Sequence, residues 1–187
     1  MESEKSMLKP VLMTGLIFGF VLFLVGILAG YYIISKEPTG RFFMVTFLTV
    51  GPTCLIALFI SFFAVKSYVK ENGPEMTLGK GAIIGLSAAA IAAAVSVVFM
   101  FIWPMIDSSY LENYYSALIA ETEITTALPP EMREPMIDAY YEEMRSSNSI
   151  TSFLSNLVSS VFMLSLLNAI TGLIAAKIFG TRPVETL

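Results

Sequence analysis

The stretch LGKGAIIGLSAAAIAAAVSVVFMFIWPMI, from Leu78 to Ile106, is one of four long apolar runs in this chain of 187 residues. The other three cover residues 11–34, 42–65 and 150–179. A helix of about 24 residues rises about 36 Å, which crosses a hydrocarbon core of roughly 30 Å with some tilt. Hydrophobic residues make up 56% of the chain and charged residues only 14%, unlike a soluble domain. The runs therefore predict an all-α integral membrane protein with four transmembrane helices.

The links between the runs predict how the four spans are arranged. The first link, residues 36–40, is so short that the first two spans must be antiparallel neighbours. The second link, residues 66–77, contains the turn sequence ENGP and ends at Thr77, a good N-cap for the next helix. We expect one antiparallel bundle. Four spans leave no room for a second domain, so residues 1–187 form a single membrane domain.

Small residues recur four positions apart in the first and third spans. The pairs are Gly15 with Gly19, Gly26 with Gly30, and Gly81 with Gly85, and the last pair continues to Ala89. Helices in a membrane approach closely where such residues face each other. We therefore expect the first and third spans to be in tight contact. The motif leaves open whether it acts within one chain or between two copies.

The fourth span is the most polar of the four. Ser152, Asn156 and Ser159 share one face of its first half, whereas Asn168 points roughly the opposite way. One polar face is a candidate lining for a water path. Two polar faces favour interhelical hydrogen bonds to different neighbours. Both interpretations stay open.

The longest hydrophilic interruption, residues 107–149, is acidic. It has nine acidic residues against two arginines. Ser109 and Glu112 have the spacing of a capping box, which predicts a first helix, and a second helix is expected from about Pro135 to Arg145. We interpret the segment as a helical hairpin between the third and fourth spans.

The second of these helices is amphipathic. One face carries Met136, Tyr140 and Met144, and the opposite face carries Glu134, Asp138 and Glu142. The apolar face is the candidate partner-binding surface, for the bundle itself, a second copy or another envelope protein.

The distribution of lysine and arginine predicts the orientation. If the N-terminus is cytoplasmic, the cytoplasmic side holds seven of the eleven basic residues, namely Lys5, Lys9, Lys66, Lys70, Lys80, Lys177 and Arg182. Cytoplasmic links are enriched in such residues, so both termini are expected inside and the acidic segment outside. Tyr31, Tyr32, Trp103 and Tyr110 would then form the outer aromatic belt.

Several chemistries are disfavoured by what the chain lacks. It has no histidine, and Cys54 is its only cysteine. The middle of each apolar run is free of Asp, Glu, Lys and Arg, the residues that mark proton relays and coupled transport inside a membrane. We expect no enzyme activity, no cofactor and no nucleic-acid partner. The outside carboxylates and methionines fit an ordinary helix surface better than a metal site.

Several short motifs resemble a known family. They are GLIFG at residues 15–19, YVKENG at 68–73, TLGKG at 77–81, IDSSY at 106–110 and the Glu/Met-rich stretch before the fourth span. These motifs resemble the bacterial membrane proteins filed as domain of unknown function 4199. The resemblance implies a four-span protein of the bacterial inner membrane, with no catalytic residues to carry over. Ser108 stands where the family often has a proline.

Two functions are compatible with these patterns. The first is a non-catalytic interaction or assembly component of the cell envelope, which uses the acidic segment. The alternative is a small uncoupled channel or transporter whose path is lined by the fourth span. The lipid bilayer is its expected surroundings, and a homo-oligomer or another envelope protein is its expected partner.

Overall fold

The computed structural model of the protein describes residues 6–146 and 149–181. These ranges contain six α-helices: α1 (Leu8–Ile34), α2 (Phe42–Asn72), α3 (Leu78–Ile102), α4 (Tyr110–Ile124), α5 (Pro130–Ser146) and α6 (Ile150–Phe179). A 3-10 turn, Trp103–Met105, extends α3, and Glu75 and Thr181 form an isolated parallel β-bridge. The helices α1, α2, α3 with its extension, and α6 are long and apolar enough to cross a membrane. The predicted all-α architecture with four candidate membrane spans is confirmed. Four residues named in the sequence analysis or next to a helix end lie outside the described residues, namely Lys5, Ser147, Asn148 and Arg182.

Two predicted boundaries need correction. The second helix does not end near Val65 but continues to Asn72, because the Lys and Glu residues that suggested a link are also good helix formers. It ends at Gly73, whose positive φ of 87° suits glycine. The third helix ends at Ile102, ahead of Pro104, and continues only as the 3-10 turn. Thr77 is the N-cap of α3, as predicted, and its Oγ1 accepts the Lys80 N–H at 3.2 Å.

Two glycines of α1 allow that helix to lie directly on α3. A Cβ added to Gly15 would lie 2.7 Å from the Cβ of Ile91, and one added to Gly19 would lie 2.6 Å from the Cβ of Val95. Such distances are too short for real side chains, so both positions need the absence of a Cβ. The first and third spans are therefore in close contact within the chain.

Gly81 and Gly85 do not serve this contact, which corrects the simplest interpretation of the motif. A Cβ on Gly81 would overlap Ala176 and the carbonyl of Gly172, both on α6, and one on Gly85 would overlap the carbonyl of Asn168. The repeat in α3 thus places α6 against it. Ala89, at the same spacing, is fully buried.

The remaining glycines of the motif lie nearer the end of α1. Gly26 is 3.5 Å from Met100 by the same measure, which is ordinary contact. Gly30 receives the ring of Tyr110 from α4. The small-residue pairs of α1 therefore contact two different elements of the structure.

A hydrogen-bonded junction joins α2 to α6 beside Gly85. Ser61 Oγ lies 2.7 Å from both the carbonyl oxygen and the side-chain Oδ1 of Asn168, and Thr171 Oγ1 donates to Ser61 Oγ at 3.0 Å. Ser61 and Asn168 are fully buried. Buried polar groups need such partners in an apolar medium. Asn168 thus forms the interhelical bonds that two polar faces on the fourth span predicted.

The bundle is packed at one end and open at the other. The end where α1 and α3 end is called here the capped end, because α4 and α5 lie there, and the opposite end is the terminal end. No residue of α2 before Ala57 and none of α6 before Ser165 is buried. Close packing of all four long helices is therefore restricted to the terminal half.

Gly81→Ala tests the contact between α3 and α6. The added Cβ meets backbone atoms of α6, which cannot move aside cheaply, so we expect the free energy of unfolding to fall by about 1–3 kcal/mol. Gly79→Ala is the matched control, because nothing lies within 4 Å of a Cβ there. Alanine favours helix over glycine, so this control should be neutral or stabilising. Equal effects of the two substitutions in denaturant titrations in micelles would contradict the close approach.

Candidate functional site

The aromatic side chain of Tyr110 anchors α4 to the bundle. Tyr110 is the first residue of α4, is 3% exposed, and its ring fills the space that a Cβ on Gly30 would occupy. The Tyr31 ring lies 5.1 Å away in an edge-on arrangement, which is a favourable geometry for two aromatic rings. Phe23 and Ile27 complete this cluster. The start of α4 is therefore held against the end of α1.

Asp107 forms the turn that leads into α4. Its Oδ2 accepts the Tyr31 hydroxyl at 2.6 Å, and its Oδ1 accepts the Ser109 N–H at 3.1 Å and the Ser109 hydroxyl at 2.8 Å. The predicted capping box of Ser109 with Glu112 is wrong, because the Ser109 side chain is used by Asp107 and does not cap the helix. The hydrogen bond from Tyr31, followed by those from Ser109, lowers the pKa of Asp107.

The Tyr31–Asp107 hydrogen bond predicts a pH dependence of stability. A lowered pKa in the folded state means that the stabilisation is complete above the unfolded pKa of about 3.9 and is lost as the pH falls through the lower folded value. We expect Tyr31→Phe to lower the melting temperature at pH 7. The difference in melting temperature between the variant and the parent protein should become smaller as the pH falls from about 5 to about 2. Tyr32→Phe is the control, since Tyr32 is 49% exposed. If the difference in melting temperature did not change with pH, the hydrogen bond to Asp107 would not be its cause.

The buried carboxylate of Glu121 holds the other end of α4. Glu121 is 4% exposed and accepts hydrogen bonds from the Thr39 N–H at 2.7 Å and the Thr39 hydroxyl at 3.2 Å. Thr39 belongs to the link between α1 and α2. The next residue, Gly40, has a φ of 70° and lies so close to α4 that a Cβ would be 3.0 Å from the carbonyl oxygen of Ile124. The link and α4 are therefore tied together by both polar and close backbone contacts.

α5 begins earlier than predicted. The sequence favoured Pro135 as its first-turn residue, but the helix begins at Pro130, and Pro135 lies inside it. The same rule applies to both prolines, since a proline at the start of a helix lacks a donor that would be unpaired anyway. Arg133 secures the turn before α5, with Nη2 donating to the Leu128 carbonyl at 2.9 Å.

The apolar face of α5 is partly covered within the chain. Met136, Tyr140 and Met144 are half-buried, and the Tyr140 ring lies 6.4 Å from that of Tyr115 on α4. Burial raises the pKa of Tyr140, and burial together with the negative charge of Glu143 raises that of Tyr115. Both tyrosines are therefore neutral at physiological pH.

The opposite face of α5 is exposed. It carries Glu134, Asp138, Tyr141 and Glu142, and Tyr141 is 41% exposed. No residue of α5 is buried. This face is acidic and includes the large exposed side chain of Tyr141, which distinguishes it from the apolar face of the same helix.

Two clefts flank α4. The first, of about 170 Å³, lies between the end of α1, the start of α2 and α4, and is here called the link cleft. Its charged lining residues are Lys36, Glu37, Arg41 and Glu121. The second, of about 280 Å³, lies between α3, α6 and the α4–α5 segment and is called the α6 cleft.

The predicted polar lining residues of α6 are only partly brought together. Asn156 lines the α6 cleft, with Ser96, Ser160 and Glu143, whereas Ser152 and Ser159 do not. Ser159 is exposed, and Ser152 belongs to the start of the helix, where its N–H donates to Ser149 Oγ at 3.0 Å. Of the three predicted lining residues, only Asn156 therefore lines the α6 cleft.

In the described part of the chain, no group of three or more His, Cys, Asp or Glu side chains is placed to hold a metal ion. Sequence reasoning missed Glu121 as a structural residue and counted it only as part of the acidic segment. A signal was present, because Glu121 continues the stripe of Tyr110, Tyr114 and Ala117 along one face of α4. The partnership of Tyr31 with Asp107 had no comparable signal, since 76 positions separate them.

Comparisons with known proteins gave one match. The model of a family described as a protein of unknown function, DUF4199, matches residues 14–177. No curated protein and no solved structure matches the chain.

Proposed function

Because the chain belongs to the DUF4199 family, whose function is unknown, we propose a role for it from its own surfaces. It is a non-catalytic, multi-pass protein of the bacterial inner membrane that binds another envelope protein or a second copy through the α4–α5 segment. The segment forms an acidic helical hairpin on the outer side, and both termini are cytoplasmic.

Contacts between the long helices support an antiparallel arrangement. Phe18 of α1 lies against Phe63 of α2, with ring centroids 5.3 Å apart, and Lys9 forms an ion pair of 3.0 Å with Glu71 nearer the terminal end. From the ion pair to the ring contact the residue numbers increase along α1 and decrease along α2, as they do in antiparallel helices. The excess of lysine and arginine at the terminal end supports a cytoplasmic location for it.

The proposed role rests mainly on one observation: α5 exposes an acidic face, and the helix on which it packs, α4, is attached to the bundle at both ends. α4 is tied to α1 at Tyr110 and to the α1–α2 link at Glu121, and α5 packs on α4 through Tyr140. We assign Met136, Tyr140 and Met144 to this packing. The partner then contacts the acidic face with Tyr141, and charge complementarity requires a basic partner surface.

A photo-crosslinking amino acid at Tyr141 tests this role in cells. We expect a discrete adduct, whose mass distinguishes a second copy from another protein. The triple substitution Glu134→Lys, Asp138→Lys and Glu142→Lys should abolish it, since like charges repel a basic partner. The same label at Leu28, which is 67% exposed on α1, is the control for random membrane encounters. An adduct that survives charge reversal, or no adduct from Tyr141, would contradict the proposal.

The alternative, a small uncoupled channel or transporter, draws support from Asn156 and Ser160 in the α6 cleft. The rest of α6 argues against a continuous path. From Ser165 to Ala176 its inward residues are buried against α2 and α3, with Asn168 fully buried and bonded to Ser61. This burial supports the interaction role over a water path along α6.

Flux measurements in reconstituted vesicles separate the two functions. We expect no solute or ion flux above that of protein-free vesicles, and no change on Asn156→Leu, because the terminal half is close-packed. Flux that depends on Asn156 would favour the channel instead.

A further inference from the structure

The link cleft contains a buried carboxylate that lacks a cation. Glu121 is 4% exposed and lines the cleft, and its two oxygens accept one hydrogen bond each from Thr39. A carboxylate offers about four acceptor sites, so capacity remains on both oxygens. Within the described ranges, no lysine or arginine forms an ion pair with Glu121. A buried carboxylate with acceptor capacity left favours a ligand that brings a further hydrogen-bond donor, and a cationic donor forms the strongest such bond.

Cations line the same cleft at its exposed rim. Lys36 and Arg41 are exposed lining residues, and Lys36 Nζ lies 5.4 Å from the centre of the Tyr32 ring. The rim also carries the exposed carboxylate of Glu37, so the cleft presents a buried carboxylate behind an exposed rim of two cations and one anion. A ligand that carries an ammonium and a phosphate on neighbouring atoms matches this arrangement of charge.

The remaining wall of the cleft is apolar and leads towards the bilayer. Ile33 closes the α1 side, and Met44, Val45 and Leu48 form the α2 side. No residue of α2 before Ala57 is buried, so this half of α2 leaves the cleft open sideways to lipid. The cleft has a volume of about 170 Å³. It accommodates a small polar headgroup, with hydrocarbon chains left outside along α2.

We propose that the link cleft binds a phospholipid with a phosphoethanolamine headgroup. The ammonium lies at Glu121, the phosphate at Lys36 and Arg41, and an acyl chain lies along Met44 and Leu48. This site is independent of the acidic face of α5, because none of the exposed acids of that face lines it.

Native mass spectrometry of the purified protein tests the site with two lipids of identical acyl chains, phosphatidylethanolamine and phosphatidylglycerol. Only the first has an amine. We expect about tenfold stronger retention of phosphatidylethanolamine, the effect of one charge-assisted hydrogen bond. Equal retention, or stronger retention of phosphatidylglycerol, would overturn the proposal.

Variants assign the discrimination to residues. Glu121→Gln keeps the side-chain shape and should reduce the ratio of phosphatidylethanolamine retention to phosphatidylglycerol retention to about one. Glu123→Gln, at an exposed acid of the same helix, is the matched control and should leave the preference intact. Arg41→Gln should weaken both lipids alike, because both contain the phosphate. A preference that persists in Glu121→Gln excludes Glu121 as the amine site.

A second variant keeps the test decisive if Glu121→Gln does not fold. Leu48→Trp fills the apolar wall without touching the hydrogen bonds of Glu121, and Leu48 is 37% exposed, so folding should be unaffected. We expect it to reduce retention of phosphatidylethanolamine at least severalfold, and unchanged retention would overturn the site. Soluble glycerophosphoethanolamine has the headgroup without acyl chains and should compete poorly. Competition equal to that of the lipid would overturn the acyl path along α2.

Discussion

The structure depends on the close approach of helix backbones at the terminal end. In a membrane the apolar side chains gain little by leaving lipid, so helices associate through van der Waals contact and hydrogen bonds. Gly81 and Gly172 each leave no space for a Cβ against the other's backbone. This contact brings α6 near enough for Asn168 to reach Ser61 on α2. Three helices are therefore positioned by the absence of two side chains.

The size of the residues also explains why the bundle opens towards the capped end. α3 is rich in alanine and glycine between Gly81 and Ala93, and this is the part of α3 that is buried. Beyond it, α3 carries larger side chains, among them Val95, Phe99 and Phe101, and none of these three is buried. α1 still follows α3, because Gly19 and Gly26 face it. The first halves of α2 and α6 have no glycine in such contact with α3, and none of their residues is fully buried.

The architecture was predictable because apolar length and turn composition are local properties of a sequence. The four spans, the N-cap at Thr77 and the contact of α1 with α3 all follow from patterns within about 30 residues. The errors arise where two local rules compete, as for Pro130 and Pro135, or where a polar helix looks like a link, as after Val65. The pairing of Glu121 with Thr39 was not predictable, because it joins segments 82 positions apart and uses a residue type common in solvated helices. The contact of Gly81 and Gly85 with α6 was not predictable for the same reason, because their partners lie more than 80 positions away in the sequence.

The junction at Ser61 has a consequence for biosynthesis. A chain is synthesised from its N-terminus, so α1, α2 and α3 enter the membrane before α6 exists. Until then the Ser61 hydroxyl lacks Asn168 and Thr171, and the glycine face of α3 lies against lipid. Because α6 is the last of the long helices to be made, its arrival completes the bundle. A chain truncated before α6 would thus retain the α1–α3 contact but expose a polar, glycine-lined surface, the kind of feature by which a membrane quality-control protease distinguishes an unfinished protein from a finished one.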